Sequence, residues 1–222
     1  MWRRLLKKCF PASHLPSQWR DKSWFDLPFI AIDLELTGLD HQQVDILSIG
    51  WVTAQHCCID LDQSVYQVIS SKKSLEQSPV IHGLTADDIS KGQHLLPIIE
   101  KLLSFANTHI WVFHHAHLDV NVLKRVCRNL GLPWPPIVTL DTMQMALYSL
   151  NRSYQVLPPN SATLPVVRAS HGLAAAPAHN ALDDAMATME LLFAQMQQAD
   201  PKNELLLQDF YHTGALRQFS EN

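Results

Sequence analysis

The run Phe29-Ile30-Ala31-Ile32-Asp33-Leu34-Glu35-Leu36-Thr37-Gly38 constrains this chain more than any other stretch. It reads as an apolar strand, closed by a Thr-Gly turn, with two carboxylates inside it. Residues i and i+2 of a strand leave the same face, so Asp33 and Glu35 point to one side. The length and apolar character of the run predict a central position in a sheet. The pair then lies beneath a cleft at the sheet's edge. Burying two carboxylates together is costly, because like charges oppose joint ionisation, and a divalent cation removes the conflict. The plainer alternative is two solvated strand acids, which fits poorly beside Phe29-Ile30-Ala31-Ile32.

Two further segments carry matching chemistry. Trp111-Val112-Phe113-His114-His115-Ala116-His117-Leu118-Asp119 is a second apolar strand that runs into an aspartate. By itself Asp119 reads equally as a metal ligand or as the cap of a following helix. His179-Asn180-Ala181-Leu182-Asp183-Asp184-Ala185 opens a helix behind an Ala/Pro stretch. Asp183 and Asp184 compete there for one role. Asp184 shares a helix side with Ala181 and Thr188, whereas Asp183 flanks Met186 and Ala187. Phosphodiester hydrolysis by two metal ions needs this inventory: several carboxylates for hard cations, and a separate group that takes a proton from the attacking water.

In this order and spacing the segments resemble the DEDDh family of 3′→5′ exonucleases, over roughly residues 29–198. Val80-Ile81-His82-Gly83-Leu84-Thr85 looks like the V-H-G-I-T segment of the branch typified by the proofreading epsilon subunit of bacterial DNA polymerase III. The resemblance implies metal ligands at Asp33, Glu35, Asp119 and Asp184. It selects Asp184 over Asp183, because the family histidine precedes its aspartate by five positions. It implies His179 as the general base near neutral pH. The expected cofactor is a pair of Mg²⁺ or Mn²⁺ ions, in keeping with an all-oxygen donor set. Thr37 and Gly38 would place backbone groups near the terminal nucleotide. Ile81 and His82 would lie against its base or sugar, and Leu118 would wedge near the penultimate base. The implied fold is a ribonuclease-H-like α/β exonuclease fold, a mixed central sheet flanked by helices.

The chain departs from the family at two motif positions. The usual H-N-x-x-F-D reads His114-His115-Ala116-His117-Leu118-Asp119 here, which puts base stacking and rate in question but not the acid. Asp33-Leu34-Glu35-Leu36-Thr37-Gly38-Leu39-Asp40 reads closer to oligoribonuclease, while His82-Gly83-Leu84-Thr85 points to the polymerase-associated branch. The expected substrate is a single-stranded nucleic-acid 3′ end, DNA favoured, cleaved by in-line attack of water to nucleoside 5′-monophosphates. An exoribonuclease like ribonuclease T or oligoribonuclease is the alternative within the class. A catalytically silent nucleic-acid-binding accessory of a polymerase is the alternative outside it, and the intact set of acids argues against silence. A polymerase or another replication or repair protein is a possible partner. No clamp-binding motif stands out; Gln208-Asp209-Phe210-Tyr211 is a faint candidate.

Composition agrees with this reading. The net charge is −4 and the pI about 6.3, which excludes the basic footprint of a protein gripping long duplex DNA. At 222 residues and 47% apolar content, one domain with a sizeable core is expected. Cys9, Cys57, Cys58 and Cys127 form no zinc spacing and read as free thiols in a reducing cytosol. No stretch approaches a membrane span. The start, Met1-Trp2-Arg3-Arg4-Leu5-Leu6-Lys7-Lys8, is basic, but Cys9-Phe10-Pro11-Ala12-Ser13-His14 follows instead of a long apolar run, so a cytoplasmic protein is expected.

The expected organisation is an N-terminal extension over 1–27, an exonuclease domain over 28–200, and a C-terminal helix and tail over 201–222. Strands are predicted at 29–35, 46–54 and within 57–69, the last broken by the polar stretch 60–64; together they form an antiparallel meander. Thr85-Ala86-Asp87-Asp88 predicts a capping box, with Asp87 and Asp88 as helix-end charges. Helices are predicted at 95–107, 118–130, from 141 or 142 to 150, 163–169, 179–198 and 203–216, and strands at 110–113 and 137–140. Met186, Met189 and Met196 are read as core fillers.

Overall fold

A computed structural model describes residues 15–38, 44–70, 83–153, 155–177 and 179–220. Three strands come first: β1 (Phe29–Leu36), β2 (Ile46–Gln55) and β3 (Cys58–Val68). They pair antiparallel as the predicted meander. His56 and Cys57 turn β2 into β3 with φ of 53° and 58°, the left-handed pair that matches the twist of a tight hairpin. The polar stretch 60–64 does not end β3. Trp51 faces Val65 and Thr53 faces Asp60, so residues 61–64 bulge out opposite Val52.

The chain continues through α2 (Ala86–Ser90) and α3 (Leu95–Leu103), which follow a short first helix, α1 (Ser17–Arg20). The Thr85 hydroxyl accepts the Asp88 N–H, and the Asp88 carboxylate accepts the Thr85 N–H, which completes the predicted capping box. Then come β4 (Ile110–Phe113), α4 (Ala116–Leu130), β5 (Ile137–Asp141), α5 (Thr142–Ser153), α6 (Leu164–Ser170), α7 (Ala181–Ala199) and β6 (Leu216–Phe219). The α4 helix stops at Gly131, whose φ of 69° suits only a residue without Cβ at low cost. The sheet order is β3-β2-β1-β4-β5-β6, with β1, β4 and β5 mutually parallel. This is the expected mixed sheet, with β1 in its interior.

Alternation along β1 divides the core into two layers. Ile30, Ile32 and Leu34 pack on one side with Ile99 and Leu102 of α3 and Val120 and Leu123 of α4. Phe29 and Ala31 pack on the other with Met189, Leu192 and Met196 of α7. Met189 and Met196 are fully buried there, as expected of core fillers. Asp33 and Glu35 continue the α7 side of the strand, where the apolar residues give out.

At the N-terminal end the extension is packed; at the C-terminal end the elements differ from expectation. Residues 15–27 are built into the core: Leu15, Trp19, Trp24 and Leu27 are buried, and Trp24 Nε1 donates to Asp200 at 3.0 Å. At the other end a helix over 203–216 does not form. A 3-10 helix (Leu207–Thr213) ends at Gly214, and β6 then pairs antiparallel with β5. Free backbone groups on the β5 edge accept this strand, which carries no long alternating pattern of its own. Leu207 and Phe210 are buried in the α7-side core, so Phe210 of the faint clamp-binding candidate 208–211 is a packing residue.

Candidate active site

Each acid reaches the site by a different route. Asp33 and Glu35 leave the end of β1 on its α7 face. Opposite them across the β1–β2 ladder stand Gly50 and Ser48. The missing side chain of Gly50 lets α7 begin directly on the sheet, with Ala181 against it. Asn180 caps that helix, its Oδ1 accepting from Leu182 N at 3.0 Å and Asp183 N at 3.3 Å. One helical turn on, Asp184 hangs over the strand pair. Carboxylate oxygens of Asp33, Glu35 and Asp184 lie within 4.8 Å of one another.

Asp119 is buried in the first turn of α4. It does not join that 4.8 Å group, yet its charge is felt there. Burial raises Asp33 well above the usual carboxylate range, and Asp119, Asp184 and Glu35 add to the rise. Burial, then Asp184, lifts Glu35 to about 7. Burial, then Asp141 and Glu35, lifts Asp119. Asp184 is raised by burial as well, against the His179 N–H that it accepts at 3.0 Å. Three carboxylates brought together, with the buried charge of Asp119 adding to their repulsion, fit divalent cations held by oxygen ligands.

Asp141, which the sequence placed only at the start of a predicted helix, does more. It caps two helices at once. Its carboxylate accepts Met143 N (2.9 Å) and Gln144 N (3.2 Å) at the start of α5, and His115 N (3.2 Å) and Ala116 N (2.9 Å) at the start of α4. The cap that Asp119 could have supplied is therefore made by Asp141. The signal was the acid at the end of a strand followed by threonine; its second helix could be found only in three dimensions. His114 braces the same corner, with Nδ1 at 2.8 Å from Thr142 Oγ1 and Nε2 at 2.9 Å from Ala162 O. Burial holds its pKa down, so the ring favours the neutral form.

His179 is exposed beside Asp184, with φ of 67°. Thr37 closes β1: its Oγ1 accepts Asp45 N at 2.9 Å, and its N–H reaches Asp45 O at 3.0 Å. Gly38 follows it, exposed. Leu118 is half-buried against the α4 core. Ile81 and His82 lie outside the described residues.

The sequence model of the RNase_T family, described as an exonuclease, matches residues 30–192. The chain belongs to the RNase_T exonuclease family. The expectation of a nuclease of DEDDh type with a ribonuclease-H-like fold therefore holds. Enzymes of this type use divalent metal ions, and the acid cluster has the composition to hold them. Among relatives, a DNA polymerase III PolC-type of Thermotoga maritima is 30% identical over 181 residues, which cover 79% of this chain and 12% of that one. The exonuclease thus spans about an eighth of that polymerase's length. Among solved structures, the nuclease domain of 3′hExo, a DEDDh family member bound to rAMP, superposes with a TM-score of 0.64 at 15% identity, covering 83% of this chain and 96% of that one. Escherichia coli Exonuclease I with a dA16 oligonucleotide gives 0.65 at 14% identity, covering 85% and 43%. These two likenesses bear on the fold.

Proposed function

We propose that this RNase_T exonuclease digests single-stranded DNA from the 3′ end, releasing nucleoside 5′-monophosphates with the help of two Mg²⁺ or Mn²⁺ ions. The observation that carries the reading is the convergence of Asp33, Glu35 and Asp184, from β1 and α7, with His179 tied to Asp184. In this reading Asp33, Glu35, Asp119 and Asp184 hold the ions. When bound, these would neutralise the carboxylates and stabilise charge on the attacking and leaving oxygens. An imidazole nitrogen of His179 takes the proton of the attacking water. Water enters in line with the departing 3′ oxygen of the penultimate nucleotide.

Thr37 and Gly38 line the terminal nucleotide, and the apolar side chain of Leu118 offers a surface on which any base can stack. Ile81 and His82 are assigned to the same nucleotide on their motif alone. Exposed His179 beside Asp184 suits a thin, single-stranded end. RNA is the second reading, favoured by the oligoribonuclease-like first motif; the 2′-hydroxyl would decide it. The PolC-type relative makes a polymerase the partner to test. Among the described residues no helix is long and apolar enough to cross a membrane. The free thiols of Cys57, Cys58 and Cys127 suit a reducing, cytoplasmic setting.

The experiment is digestion of DNA and RNA oligonucleotides of one sequence, labelled at either the 3′ or the 5′ end, with Mg²⁺, Mn²⁺ or chelator. Release of labelled mononucleotide as the first product from the 3′-labelled DNA, dependent on metal and faster than from RNA, is the expected result. Asp33→Ala and Glu35→Ala should abolish it with the fold intact. First release from the 5′ label, or substantial activity in both variants, would overturn the reading.

A further inference from the structure

Among the described residues the most buried charge outside the acid cluster is Arg168 on α6, only 4% exposed. Its two terminal nitrogens reach three acceptors, while its buried Nε has no hydrogen-bond partner among the described residues. Nη1 donates to Ala187 O at 2.7 Å, and Nη2 to Ala174 O at 3.0 Å and to Glu190 Oε2 at 2.8 Å. Ala187 and Glu190 belong to α7, one turn beyond Asp184 and further. Ala174 belongs to the loop that leads from α6 to His179. A single guanidinium therefore ties that loop to the helix that carries Asp184.

Leu173 packs at the start of the loop against Ala146, Val167 and Leu191, but the described residues after it, 174–177, have little side chain to hold them. Ala174, Ala175 and Pro177 are exposed, and Ala176 is half-buried. Small exposed side chains bury almost no apolar area, so backbone bonds must locate the segment. Its far end is fixed where His179 N donates to Asp184 and Asn180 caps α7. Its near end is fixed by Arg168. A buried arginine is costly unless its donors are met, and a nonpolar side chain would pack there at less cost. What a nonpolar residue lacks is the planar fork that binds two carbonyls on different segments at once.

We propose that Arg168 is a positioning residue for His179, setting the loop 174–177 relative to α7. The proposal rests on the reading of His179 as the general base. It predicts a specific split: Arg168 governs where His179 stands and leaves the acid cluster unchanged.

The test uses the full chain as wild type and with Arg168→Gln, Arg168→Lys, Glu190→Gln, His179→Ala, and Arg168→Gln combined with His179→Ala. The first readout needs neither metal nor substrate. In Arg168→Gln, amides of residues 173–180 should exchange hydrogen about tenfold faster, while β1 and the second half of α7 keep wild-type rates. The second readout is hydrolysis of a DNA oligonucleotide. Misplacing the base should lower kcat roughly 10- to 100-fold with KM little changed. Arg168→Lys, which keeps the charge and one donor direction, should recover part of that loss. In the His179→Ala background, Arg168→Gln should cost nothing more.

Unchanged exchange over 173–180, equal loosening along all of α7, or a fully additive loss in the double variant would each overturn the proposal. Should Arg168→Gln fail to fold, half-exposed Glu190 decides: faster exchange over 173–180 in Glu190→Gln supports the proposal, and wild-type exchange there overturns it. If His179→Ala leaves kcat unaltered, the base assignment falls. The exchange data then still decide whether Arg168 holds the loop.

Discussion

Gly50 of β2 and Ala181 of α7 meet backbone to backbone. A Cβ on Gly50 would stand 2.2 Å from the Ala181 carbonyl carbon and 2.3 Å from its oxygen and from the Leu182 nitrogen. Gly50 is also the ladder partner of Asp33. One contact thus sets how low the first turn of α7 sits over the strand, and how near Asp184 comes to Asp33 and Glu35.

Gly50→Ala should therefore push α7 off the sheet. Overpacking of this kind costs about 1–3 kcal/mol, and the displacement should weaken metal binding and turnover more than the lost stability explains. Thermal melts and a metal titration of the same preparation check it. Wild-type metal affinity in Gly50→Ala would mean that Asp184 is placed by something else.

The raised carboxylates make a pH prediction. Glu35 titrates near 7 when folded, against 4.5 ordinarily, and Asp33, Asp119 and Asp184 are also shifted upward. Between those values the folded, metal-free chain holds more protons than the unfolded chain. Stability must then fall as pH rises from about 4.5 to about 7, by about 3 kcal/mol from Glu35 alone. Divalent ions bind the ionised set, so the gain in Tm on adding Mg²⁺ should be small at pH 5 and large at pH 8. Melts with Mg²⁺ and with chelator across that range test this; a gain independent of pH would separate the metal from these acids.

The adjacent aspartates should behave differently. Asp184→Asn removes a member of the acid cluster and should eliminate turnover and weaken metal binding. Asp183→Asn touches only the electrostatics of the first turn of α7, worth about 0.3–1 kcal/mol. Side-by-side activity and metal titration would reveal a reversed order, which would reassign the third motif.

His115 sits at φ 91° and ψ 53°, with an exposed side chain, just before α4. Left-handed backbone costs a residue with a Cβ about 1–2 kcal/mol. His115→Gly should recover about 1 kcal/mol in a thermal or denaturant melt. A loss of stability instead would mean that the imidazole makes a contact worth more than the strain.

Much of the site was legible because its signals are local. The i, i+2 spacing put Asp33 and Glu35 on one face, and the Thr85–Asp88 pair announced its capping box. Asp183 against Asp184 was different. Helix periodicity separated them weakly, and family spacing chose Asp184, whose carboxylate is the one that meets the strand pair. The packing of residues 15–27 and the strand β6 were not legible for a related reason. Trp19 and Trp24 are buried by α7-side partners far along the chain, and β6 owes its conformation to the open edge of β5.

The sequence by itself determined the inventory and the elements: which acids, on which strand or helix, in which order. Periodicity and capping act over a few residues, so they can be read one segment at a time. Only the tertiary structure decided the distances. The Gly50–Ala181 approach, the shared Asp141 cap of α4 and α5, and the Arg168 bridge to Ala174 and Ala187 all join separate segments. Such joints arise from close packing and from the need to satisfy buried donors and acceptors, and those demands exist only once the segments have met.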